Sequence, residues 1–118
     1  MSEARFAKRA RLLKAIEFRH VFDKPIKSSD RFFTVLARPN PLERARLGLA
    51  VSKRHARHAV TRNRIKRVIR ESFRTTGSIA EVDYVVMITA KGASASNAEL
   101  FDSLQRHWRT IRSKCERS

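Results

Sequence analysis

Across residues 53–74 every charged side chain except Glu71 is a lysine or an arginine, and His55 and His58 stand among them. Guanidinium forks pair bidentately with phosphate, and ammonium groups act there as point charges. The chemistry this concentration suits is recognition of a polyanion. The whole chain points the same way. Its 27 Lys+Arg against 11 Asp+Glu give a formal net charge of +16, with a pI near 11.6. Self-repulsion of that size disfavours a compact chain unless an anionic partner offsets it.

Other chemistry finds little support. His55 and His58, three positions apart, could hold a metal, but their neighbours are arginine or apolar and supply no third ligand; a solvated or phosphate-facing pair is the simpler reading. Glu81 and Asp83 share one side at the start of a strand and read as a turn and solvent feature. Ser52 has no Gly-x-Ser-x-Gly elbow around it, Cys115 lies in the C-terminal tail, and no glycine-rich phosphate loop is present. The expectation is a chain with no active site and no metal site of its own. One cysteine allows no internal disulfide, no uncharged run exceeds seven residues, and residues 1–6 lack an apolar signal core. A reduced, cytoplasmic chain without a membrane span is expected.

The elements that must position the basic residues can be read from periodicity. A length of 118 residues suits one domain, residues 1–118, with 1–11 and 114–118 expected to be mobile. Leu12, Leu13, Ile16, Phe18, Val21 and Phe22 recur at helical spacing, and Pro25 ends that helix. Residues 31–38 read as a strand covered on both faces, with Phe33, Val35 and Ala37 on one parity and Phe32, Thr34 and Leu36 on the other. In residues 46–53, Leu47, Leu49 and Val51 share one face and Gly48, Ala50 and Ser52 the other. That bare face suits either a helix lying against it or a partner's backbone approaching closely.

From residue 59 the period becomes 3.6. Ile65, Val68, Ile69, Ser72 and Phe73 fall in one arc, with the basic residues on the remaining faces. Thr61 suits the N-cap and Gly77 the close. Residues 82–90 are apolar on both parities, as in a central strand. Ser96 and Glu99 form a capping box before a helix carrying Leu100, Phe101, Leu104, Trp108 and Ile111. The order is helix, strands, helix, strand, helix, an α/β sandwich. Phe18, Phe22, Phe32 and Phe33 could stack unpaired bases or pack the core, and for Phe33 and at least one of Phe18 and Phe22 the core is favoured.

The run Arg62-Asn63-Arg64-Ile65-Lys66-Arg67-Val68-Ile69-Arg70-Glu71-Ser72-Phe73-Arg74 resembles the basic helix of the protein subunit of bacterial ribonuclease P. Leu47-Gly48-Leu49-Ala50-Val51-Ser52-Lys53-Arg54 is similar to the strand before it in that family. The resemblance spans about residues 12–111. It implies an α+β fold, a compact two-layer αβββαβα sandwich with a small mixed sheet and a left-handed crossover through the basic helix. It also implies a catalytic RNA partner that removes the 5′ leader of precursor tRNA with its own Mg²⁺, the protein alone being inactive. Carried over residue by residue, the resemblance places Arg62, Asn63, Arg64, Lys66, Arg67 and Arg70 on the catalytic RNA. It places Phe18, Phe22, Phe33, Ser52, Lys53 and Arg54 in a cleft for the single-stranded leader. Two positions depart from the family pattern: Leu36 stands where many relatives have an aromatic residue, and Ala56-Arg57-His58 replaces a Gly-Asn turn. The alternatives are a structural or ribosome-associated RNA-binding protein without a part in cleavage, and a protein-only nuclease.

Overall fold

The computed structural model describes residues 11–117 except 13, 43 and 78. Its elements run α1 (Ala15–Phe22), β1 (Ile26–Ser29), β2 (Phe33–Pro39), β3 (Arg46–Ala50), α2 (Ala59–Thr75), β4 (Val82–Ile88), a single turn α3 (Ala90–Ala93) and α4 (Asn97–Arg117). The four strands form one mixed sheet in the order β1-β2-β4-β3. β1–β2 and β2–β4 are antiparallel. β3 and β4 are parallel neighbours joined through α2. This is the α+β arrangement expected, with the addition of α3.

Strand parity divides the side chains between two faces. The register sets Ser28, Val35, Val86 and Leu49 in one row across the sheet, facing α2 and α4. The neighbouring row of Lys27, Leu36, Val85 and Gly48 looks the other way, toward α1. The first face holds the main core. Ile65, Val68, Ile69, Ser72 and Phe73 of α2 are buried there, the arc that the 3.6 period singled out. Phe73, Tyr84 and Trp108 meet edge to face with centroids 5.3–5.9 Å apart. Ser72 belongs in this stripe because its hydroxyl accepts the Trp108 indole N–H at 2.9 Å.

Several boundaries differ from expectation. β1 has no local apolar pattern. Its inward Ser28 is buried through a 2.7 Å hydrogen bond with His107 Nδ1 on α4. α2 starts at Ala59 with His58 at the N-cap, so Thr61 is already helical; it ends on an extended Thr76, and Gly77 has no positive φ. The Ser96 capping box forms, its N–H donating to Glu99 Oε1 at 2.9 Å and its hydroxyl accepting the Glu99 N–H at 3.2 Å. α4 continues through Arg117, and Lys114 donates to the Lys27 carbonyl, so residues 114–117 are helical rather than loose. Arg11 and Leu12 pair with the outer edge of β3, with Leu12 N–H donating to Leu47 O at 2.9 Å. The expectation for residues 1–10 falls outside the described residues.

Candidate nucleic-acid interface

The outer faces of α2 carry the basic residues, but not as one uniform row. Asn63, Arg67 and Arg70 are exposed, and Arg62, Arg64 and Lys66 are half-buried. Arg62 Nη1 donates to the carbonyls of Ala56 and Arg57 at 3.0 and 2.9 Å. Arg64 reaches α4, donating to Asn97 Oδ1 at 2.6 Å and to Ala93 O at 3.4 Å. Arg67 makes no hydrogen bond or ion pair among the described residues, so its whole fork is available to an anion. Partial desolvation of its otherwise exposed side chain, then the charge of Arg11, lowers the Arg70 guanidinium below its ordinary proton affinity, and the charge of a bound phosphate would offset both.

The other sheet face is built differently. α1 covers the row Leu36, Val85 and Gly48, and only Val21 of the helix is fully buried. The Phe18 ring lies on Gly48. A Cβ there would come within 2.7 Å of the ring, which explains the glycine. Of the two readings of the bare strand face, the helix reading therefore holds at Gly48. The next row, Ser29, Thr34, Met87 and Ala50, is only half-buried or exposed and forms an open floor beside α1. Thr34 and Met87 escaped the sequence reading. Their parity with Leu36 and Val85 was the available signal.

Arginines from the sheet pin α1 at both ends. Arg46 forks onto Asp83 with bonds of 2.8 and 2.7 Å, and its remaining nitrogen donates to Glu17 Oε2 at 2.8 Å. The second Glu17 oxygen accepts the Lys14 N–H at the helix start. Asp83 is 1% exposed and also accepts from Asn40 at 2.7 Å, so it is a buried ion-pair partner and not the solvent feature expected. At the other end, Arg38 donates to the carbonyls of His20 and Asp23 and pairs with the Asp23 carboxylate at 3.2 Å.

Of the expected leader-cleft residues, Phe18 is half-buried above the floor, and Phe22, one turn further along the same side of α1, is 47% exposed. Ser52, Lys53 and Arg54 are exposed in the loop after β3, where Ser52 is about 13 Å of extended chain beyond Gly48 and Lys53 and Arg54 follow in a turn. Phe33 is the exception. It is fully buried on the opposite face, edge-on to His107 at 6.2 Å, and cannot stack a base in this cleft. Parity placed Phe33 with Val35 and Ala37, and the face those residues share is the one closed by α2 and α4. Leu36 is buried beneath α1. The two expected surfaces also meet: a groove of about 210 Å³ at the β3 edge is lined by Phe18, Leu47 and Leu49 together with Lys66, Arg70 and Arg11.

A second polar cluster joins β1 to α4. Ser103 Oγ donates to Asp30 at 2.5 Å, and the Phe32 and Phe33 N–H groups donate to its other oxygen at 2.9 Å. Burial would raise this carboxyl, but those bonds and His107 outweigh it and hold it at about 2. His107 Nε2 lies 3.2 Å from Asp30, off the hydrogen-bond direction, and burial pushes the imidazole below its usual range despite that carboxylate. Serine, imidazole and carboxylate stand in sequence here, but Ser28 and His107 are 8% and 3% exposed, so the arrangement is structural.

Among the described residues no three His, Cys, Asp or Glu side chains converge as a metal would require, and no helix is long and apolar enough to cross a membrane. Comparison with known proteins agrees with the basic helix and the sheet. The family model Ribonuclease P matches residues 6–112. The chain is 46% identical to the ribonuclease P protein component of Methylococcus capsulatus over 114 residues, 96% of this chain and 89% of that one. It is 45% identical to that of Histophilus somni over 106 residues, 88% of each. The Staphylococcus aureus RNase P protein superposes with a TM-score of 0.79 at 30% identity, covering 87% of this chain and 94% of that one. The Thermotoga maritima protein gives 0.77 at 28% identity, covering 86% and 96%. A sheet with its basic crossover helix, matched in sequence and in shape over most of its length, places this chain in the ribonuclease P protein family.

Proposed function

We propose that this chain, as the protein component of a ribonuclease P holoenzyme, works by two surfaces and leaves bond cleavage to the RNA. α2 docks on the structured catalytic RNA through Asn63, Lys66, Arg67 and Arg70, with Arg64 half-committed to α4. The open floor beside α1 takes the single-stranded 5′ leader of precursor tRNA. Phe18 and Phe22 supply aromatic faces for bases, Ala50, Thr34 and Met87 the floor, and Ser52, Lys53 and Arg54 polar and cationic contacts to the backbone. The observation that carries this reading is the contrast between a helix with basic outer faces and an unfilled, half-apolar floor, the two joined by residues 51–58.

Among the described residues the donor set does not fit a protein-held Mg²⁺, which prefers converging carboxylate oxygens, and none of them is assigned to one. The ion belongs to the RNA in this proposal, and the site of action is the cytoplasm. Reconstitution tests it. The protein, the catalytic RNA and a precursor tRNA, mixed with each component omitted in turn, should give leader removal only when the RNA is present, and at low salt only with the protein added. Cleavage by the RNA-free protein, or no effect of the protein on precursor processing, would overturn it.

A further inference from the structure

Arg62 sits at the fourth position of α2, where the helix dipole disfavours a cation, and the N-cap His58 offers no side-chain bond to offset it. A guanidinium in that place needs a local reason, and its bonds give one. Nη1 turns back along the chain and donates to the carbonyls of Ala56 and Arg57, the two residues just before the N-cap His58. The loop it grips carries Lys53, Arg54, His55, Arg57 and His58, all exposed, with no acidic side chain among them. The Arg62 N–H also donates to the His58 carbonyl at 3.0 Å, and few other bonds hold that loop. Ala56 N–H donates to Ser52 O at 3.0 Å, His55 N–H reaches Ser52 Oγ at 3.4 Å, and Ala56 is the one residue of 52–58 that is buried. Clustered positive charges repel one another, and a loop with so few internal bonds opens readily unless something fixes it.

We infer that Arg62 is a positioning residue that holds the 52–58 loop, and through it Lys53 and Arg54, in place for the leader, rather than a contact whose main partner is the catalytic RNA. The inference rests on the two-surface reading above for its second half, while the loop contact stands on this structure alone. Arg67 is the counterpart: exposed, unbonded among the described residues, and placed only to serve the RNA.

The test compares Arg62→Ala, Arg62→Lys and Arg67→Ala. Amide hydrogen exchange at His55 and Ala56, the loop amides that have acceptors, should accelerate about tenfold in the free, folded Arg62→Ala protein and less in Arg62→Lys, whose ammonium can still reach a carbonyl. It should not change in Arg67→Ala. In the holoenzyme, Arg62→Ala should lower the preference for precursor over mature tRNA to the extent that Lys53→Ala does. Arg67→Ala should instead weaken assembly with the catalytic RNA. Unchanged loop exchange in Arg62→Ala overturns the inference, as does faster exchange with full precursor preference while Lys53→Ala still loses it. If Lys53→Ala has no effect on that preference, the leader reading has failed, and the exchange data alone decide whether Arg62 holds the loop.

Discussion

The two faces of the sheet are held by different forces. Toward α2 and α4 the contact is apolar and aromatic, with Phe73, Tyr84, Val86, Leu104 and Trp108 interleaved. Toward α1 it rests on two arginine clasps, one fully buried valine and a phenylalanine seated on a glycine. Apolar interleaving stabilises a fold without leaving room for a ligand. Polar clasps at the ends of a helix hold it at a set height and leave the space beside it open. The first face is packed shut; the second leaves space beside its helix.

Substitutions should separate the two. Trp108→Ala removes the centre of the aromatic contact and leaves the Ser72 hydroxyl unpaired, costing about 3–5 kcal/mol in thermal or denaturant unfolding. An effect below about 1 kcal/mol would mean that this face is not the keystone. Arg46→Ala leaves Asp83 buried without its cation and should cost about 3 kcal/mol, and it should also weaken precursor binding because α1 loses one clasp. Full precursor affinity in a folded Arg46→Ala protein would show that the clasp does not set the cleft. Ala50→Phe fills the open floor. We expect a stability change within about 1 kcal/mol and loss of the preference for precursor over mature tRNA, measured by competition binding.

The smallest effect concerns pH. His107 titrates below its ordinary value in the fold, so the unfolded chain binds its proton first as pH falls. Stability is therefore full above about 6.5 and declines below it. Asp30, held at about 2 against 3.8, contributes stability that persists above 3.8 and is lost as pH falls from there toward 2. Melting curves of His107→Asn should be flatter than those of the parent across the first window. Identical profiles would remove His107 from the account.

How much of this could be read from residues alone follows the range of the interactions. The buried arc of α2 was legible because Ile65, Val68, Ile69, Ser72 and Phe73 repeat within one helix. β1 was not, since Ser28 is buried by His107, 79 positions away. Asp83 looked solvent-exposed because its partner Arg46 lies 37 positions earlier. Parity grouped Phe33 correctly with Val35 and Ala37, but a strand apolar on both sides does not say which side a helix closes. The family resemblance places Arg62 and Arg64 on the catalytic RNA, and only their carbonyl and amide partners show them engaged within the protein.

The aromatic contact has a practical consequence. This chain has a single tryptophan and a single tyrosine, and their rings stand 5.3 Å apart on the closed face. Intrinsic fluorescence therefore watches only that side of the sheet. Emission should follow denaturation closely and stay silent while an oligonucleotide fills the opposite side, so a flat optical titration would say nothing against binding, and a dye attached near Phe22 would be the better reporter.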